Sequence, residues 1–152
     1  MQNSLFISRD LFLKYFKKPH EILFGEIKKR FPKIKIFFHS CGAIREIIPD
    51  LIETGIDILD PLQPLAAGMD SIGIKKDFGD AVVLHGGIDI QKALLGNRED
   101  VKAEVMKRID AFAPGGGYIL SPSNHIMKDV PVENFIDLYR FANKYGKYPL
   151  AQ

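Results

Sequence analysis

From residue 34 onward the chain repeats one pattern: a short β-branched or aliphatic run, a break at Gly, Pro or Asp, then a stretch with helical periodicity. The runs are KIKIFF (33–38), GIDILD (55–60), AVVLHGG (81–87) and GYILSP (117–122). The stretches after them read as helices over 43–55, 69–79, 98–116 and from near Pro131 to a stop at Gly146. In the third of these, apolar residues recur at Val101, Val105, Ile109 and Phe112, on one helical face. Strands alternating with helices in this way predict parallel βα units. Ahead of them, Ser8 is placed to cap a helix that Pro19 is expected to interrupt, with a second helix running to Arg30. Connections are short throughout, so residues 1–152 read as a single domain.

Parallel strands covered on both faces build either an open doubly wound sheet or a barrel. No GxGxxG or GxxxxGK[ST] loop follows any strand, so the phosphate cradle of a nucleotide-binding sheet is missing. Instead each strand ends in polar or special residues: His39 and Cys41, Asp60 and Gln63, His85 to Asp89, and Ser121 to His125. Chemistry gathered at the C-terminal ends of successive strands is how a barrel builds its active face. A (βα)8 barrel needs eight strands and at least about 200 residues. The fold class expected is therefore α/β, a partial TIM (βα)8 barrel of about four βα units with a preceding helical segment. Such a sheet leaves two open edges that invite pairing, which predicts a homo-oligomer or association with a separate other half.

Composition narrows the function classes. At 46% hydrophobic and 26% charged residues the chain can bury a sizeable core. A formal charge of +2 arises from lysines scattered among acids, with no basic block, which argues against a nucleic-acid partner. No apolar run is long enough to cross a membrane, and MQNSLFISRD lacks the order of a signal peptide. A cytoplasmic protein acting on a small molecule is the expectation. The single cysteine excludes an internal disulfide and a four-cysteine zinc site.

That cysteine lies in FFHSCG, two residues beyond His39, so both side chains leave one face at a strand end. Imidazole nitrogen and thiolate both suit zinc, and a catalytic zinc takes three protein ligands with one position open. A buried thiol beside a hydrogen-bonded histidine fits the same spacing. A third ligand would come from His125, in the loop SPSNH, or from His85, which its aliphatic surroundings mark as a satisfied core histidine. His20 lies between the two N-terminal helices with no evident partner. The run HGGID offers close backbone approach at Gly86 and Gly87, or simply a tight turn. Gly115 to Gly117 precede a strand, on the stability face of a barrel, and read as a helix stop. Asp57, Asp60 and Asp89 can serve as acids, bases or helix caps.

Three stretches carry a family resemblance: FFHSCGAIREIIPDLIETGIDILDPLQPLAAGMD, FGDAVVLHGGIDIQKALLGNREDVKAEV and PGGGYILSPSNHIMKDVPVENFIDLYRFANKYGKYP. In this order they resemble the C-terminal half of the uroporphyrinogen decarboxylase family, and MQNSLFISRDLF resembles the segment after about the fourth barrel strand. The resemblance implies a TIM barrel whose first strands lie outside this sequence. It also divides by chemistry. Uroporphyrinogen decarboxylases are similar along the backbone, lack His-x-Cys, and keep their substrate-holding arginine and aspartate in the N-terminal half. His-x-Cys-Gly resembles cobamide-dependent methyltransferases, in which it implies zinc held by His39, Cys41 and a later cysteine in the last barrel loop.

That zinc activates an acceptor thiol toward a methyl group on a corrinoid carried by a partner protein. The later cysteine matches a position at or beside Asn124, where no cysteine stands, so His125, or Asn124 through its oxygen, is expected to complete or flank the site. Asp60, Gln63, Gly86, Gly87, Asp89 and Asn124 are the substrate-side residues expected. Zinc-dependent methyl transfer is the first functional expectation; uroporphyrinogen decarboxylation without metal, and a catalytically silent half-barrel, are the alternatives.

Overall fold

The computed structural model describes residues 1–150. Four strands form one parallel sheet in the order β1-β2-β3-β4: β1 (Phe37–His39), β2 (Ile58–Leu62), β3 (Val83–Ile88) and β4 (Tyr118–Pro122). Helices alternate with them: α1 (Arg9–Phe12) and α2 (Lys18–Arg30) before β1, α3 (Ile48–Glu53), α4 (Ser71–Phe78), α5 (Arg98–Phe112) and, after β4, α6 (Val132–Tyr145). This is the α/β architecture of consecutive barrel units, with one unpaired side on β1 and one on β4. None of the helices is long and apolar enough to cross a membrane, among the described residues.

The boundaries depart from the periodicity where side chains take over backbone duties. β1 is shorter than 33–38 because the ladder starts at Ile36, whose carbonyl accepts from the N–H groups of Asp57 and Ile58. The N–H of Ile36 donates to the Asp57 carboxylate at 2.8 Å. The helix expected over 43–55 begins late, as a 3-10 turn (Arg45–Ile47) leading into α3, since Pro49 is tolerated only in a first turn. Asp70 caps α4 by accepting from the N–H of Gly73 at 2.7 Å, and Asn97 with Asp100 forms a capping box at α5.

Pro19 does not interrupt the first helix, which corrects the expectation above. Ser8 caps α1 as expected, and a π-helical turn (Leu13–Lys17) carries the chain without a break into α2, where Pro19 occupies the first turn. The missing N–H of Pro19 falls where the bonding register changes, so no regular helical bond is lost.

Alternation along the strands separates two faces. Leu59 and Leu84 point to the helices and are fully buried with Ile48, Leu51, Ile74 and Phe112. A second cluster (Leu94, Val101, Val105, Leu138) locks α5 to α6. On the other face Phe37 is 50% exposed and Ile119 43% exposed, large side chains that a closed barrel would cover. The register places His39 beside Asp60 and His85 beside Ile119, so the polar residues of interest share that face.

Candidate active site

His39 closes β1, and its register partner Asp60 lies near the end of β2. The Asp60 carboxylate is shared between two imidazoles: Oδ2 lies 2.6 Å from His39 Nδ1, and Oδ1 lies 2.6 Å from His85 Nδ1 on β3. A carboxylate accepts, so each ring carries its proton on Nδ1 and presents Nε2 as a lone pair. The Nε2 of His39 lies 3.0 Å from the Cys41 thiol. The Asn124 amide donates to the same sulfur at 3.5 Å, and Asn124 Oδ1 accepts from the backbone N–H of His125 and lies 2.9 Å from His125 Nδ1. One continuous chain of contacts thus links the ends of β1, β2, β3 and β4.

Asp60 is 8% exposed and enclosed by its two histidines, whereas His39 stands open to solvent. His85 is further fixed by the edge of the Phe37 ring, 5.0 Å between centroids and tilted by 71°. The structure therefore brings together His39, Cys41, Asp60 and Asn124, with His125 reached through Asn124. It adds His85, which its aliphatic neighbours marked as core: the residue is hydrogen-bonded, as expected, but at the site. The signal available in sequence was positional, since His85 falls at the strand level at which β1 and β2 also carry polar groups.

The remaining candidates lie apart from this chain of contacts. Gln63 follows β2, half-buried. Asp89 is buried, with its carboxylate accepting from the N–H of Gln91 at 2.7 Å and its own N–H donating to Glu104 at 2.9 Å. The space beside Gly86 and Gly87 is taken by the protein itself. A Cβ on Gly86 would stand 3.0 Å from the Leu62 nitrogen, and one on Gly87 3.0 Å from Tyr118 Oη and 3.2 Å from Phe112. Tyr118 donates to the Gly86 carbonyl at 2.8 Å, and burial pushes its hydroxyl far above the ordinary phenol range, so it stays a donor. Asp57 lies at the opposite end of the sheet. Burial raises its carboxyl, but the Ile36 N–H and Lys28 outweigh this and hold it below the usual range.

Imidazole nitrogen and thiol sulfur within 3.0 Å, the imidazole backed by a carboxylate, are donor types that zinc takes, and they supply two of the three protein ligands of a catalytic site. Among the described residues no group of three His, Cys, Asp or Glu side chains converges as a ready-made metal cluster. The set is therefore two protein donors, with the Asp60 carboxylate behind the His39 ring, next to the amide of Asn124.

The family model for uroporphyrinogen decarboxylase (URO-D) matches residues 2–145. The chain belongs to the uroporphyrinogen decarboxylase family. A uroporphyrinogen decarboxylase of Rickettsia felis is 26% identical over 141 residues, covering 91% of this chain and 38% of that protein. One of Pseudoalteromonas translucida is 33% identical over 95 residues, covering 54% of this chain and 27% of the relative. The chain thus spans well under half the length of these uroporphyrinogen decarboxylases. Among solved structures, a methyltransferase from Methanosarcina mazei superposes with a TM-score of 0.74 at 20% identity, covering 93% of this chain and 39% of that one. This likeness is one of fold alone.

Proposed function

We propose that this member of the uroporphyrinogen decarboxylase family serves zinc-dependent methyl transfer, from a corrinoid carried by a partner protein to a thiol or similar small acceptor. The approach of Cys41 to His39 Nε2, with Asp60 on the opposite ring nitrogen, carries this reading. His39 and Cys41 would hold the metal, and a further donor would come from His125 or from the acceptor's own sulfur. Bound zinc supplies the positive charge that keeps an acceptor thiol deprotonated at neutral pH. Asp60 fixes the His39 tautomer so that Nε2 is available, and the amide of Asn124 donates toward the same sulfur as the donor pair. Native mass spectrometry on protein purified without chelator tests the assignment. About one zinc per chain, lost in Cys41→Ala, together with methylation of a thiol by methylcobalamin, is expected; metal-free wild-type protein would overturn it.

The curated relatives favour a second reading, since they are named uroporphyrinogen decarboxylases. Under it the chain takes part in metal-free carbon dioxide release from a porphyrinogen, and Cys41→Ala leaves that release unchanged. In either reading we propose that the open sides of β1 and β4 are closed by a second copy or by a separate N-terminal half of the barrel, a reading that the exposed Phe37 and Ile119 support. The same native mass measurement reads this directly. A lone folded monomer counts against both forms of association, and with them against a silent half-barrel that survives by associating.

A further inference from the structure

We infer that His85 is a positioning residue for the His39–Cys41 donor pair, acting through Asp60; this rests on the zinc reading above. Asp60 divides its two oxygens evenly, one to each imidazole Nδ1 at 2.6 Å, so neither ring is a passive neighbour of the other. A carboxylate held by one histidine alone can rotate about its terminal torsion, and that torsion is broad. With both oxygens engaged, rotation would break both bonds, so the plane of Asp60 is fixed from the β3 side. His85 in turn is held by the Phe37 ring edge and by its place within β3, the strand with a paired neighbour on each side.

The orientation of His39 is therefore set by a three-residue brace running β3 to β2 to β1. This matters because β1 is an edge strand of three residues and His39 is 53% exposed, a weak platform for a metal ligand. Outer partners of a ligating histidine fix its tautomer and ring plane, and their removal costs about 10–100-fold in metal affinity.

The test is zinc affinity of the full chain, measured by competition with a chromophoric chelator, with cobalt(II) substitution to read the thiolate-to-metal absorption band. Wild type should bind one metal per chain. His85→Leu should bind about 10–100-fold more weakly, with a shifted cobalt band and a cooperative unfolding transition retained. His85→Asn, whose amide nitrogen stands where Nδ1 does and can donate to Asp60, should recover most of the affinity. Should His85→Leu fail to fold, His85→Phe, which fills the ring space without a donor, decides in its place. Tight zinc binding by wild type and by the His85 variants alike overturns the inference and leaves the zinc site standing. Absence of zinc in wild type overturns both.

Discussion

The pair formed by Glu104 and Arg108 on α5 is the most buried ion pair of the molecule among the described residues, at 9% and 4% exposure. Glu104 Oε1 accepts from Arg108 Nε at 2.7 Å and from the N–H of Asp89 at 2.9 Å, while Arg108 Nη1 donates to Ser71 Oγ at 2.6 Å. One pair thus ties the loop after β3 and the start of α4 to α5. In Arg108→Met the carboxylate stays buried with a single backbone donor. Breaking such a pair costs about 3–5 kcal/mol. At roughly 2–4 °C per kcal/mol for a domain of this size, the unfolding midpoint should drop by about 6–20 °C.

Glu104→Leu strands the guanidinium and should cost a similar amount. The double variant leaves no buried charge, only the Asp89 N–H without its acceptor and the Ser71 hydroxyl without its donor, each at about 1–3 kcal/mol, so it should be more stable than the two single losses together imply. Urea unfolding of the four proteins closes the cycle. Single variants within about 1 kcal/mol of wild type, or a double variant losing the sum of the two, would refute the reasoning that burial makes this pair interdependent.

Two further outcomes follow from side chains described above or adjacent to them. His20 packs against Phe12, Phe24 and Phe38 with its Nδ1 buried and unpartnered, and burial lowers its titration below the ordinary histidine range. The unfolded chain then takes up a proton near pH 6.5 before the folded one does. Stability attributable to this group is intact above about pH 6.5 and falls as the pH drops toward the depressed folded value, by at most about 1.4 kcal/mol per unit. His20→Phe should gain about 1 kcal/mol at neutral pH and remove that slope; urea midpoints for the two proteins that run parallel from pH 5 to 8 would contradict this. Gly87 has φ of +91° and faces Tyr118 Oη and Phe112, so Gly87→Ala should lose about 2–4 kcal/mol from backbone strain and crowding combined. A variant as stable as wild type but weakened in substrate binding would show instead that the glycine serves a ligand.

Much of this molecule is legible in the residue pattern, for reasons that differ by element. The four apolar runs locate the strands because their residues are buried from the helix side, and Leu59 and Leu84 are fully enclosed. The α5 helix is legible to within a few residues since its apolar spacing and its Asn97 cap agree. The first helix is not, because the cost of Pro19 is removed by a π-turn whose only sequence trace is the proline itself. At the site, the spacing of His39 and Cys41 places both at one strand end. The carboxylate that couples His39 to His85 depends on register between three strands, which no local pattern encodes. The bulge between Leu59 and Leu62, against Gly86, likewise arises only when β2 meets β3.

Each strand in the order β1-β2-β3-β4 finds its partner in the strand that came immediately before it. Pairing never waits for a distant segment, so the sheet can grow one unit at a time as the chain leaves the ribosome, each new strand laid on a finished template. In this respect the molecule behaves like a short stack of repeats, coupled mainly to nearest neighbours. Damage to the last unit should loosen β4 and α6 while β1 to β3 stay assembled, and the site, drawn from all four strand ends, would lose its Asn124 side first.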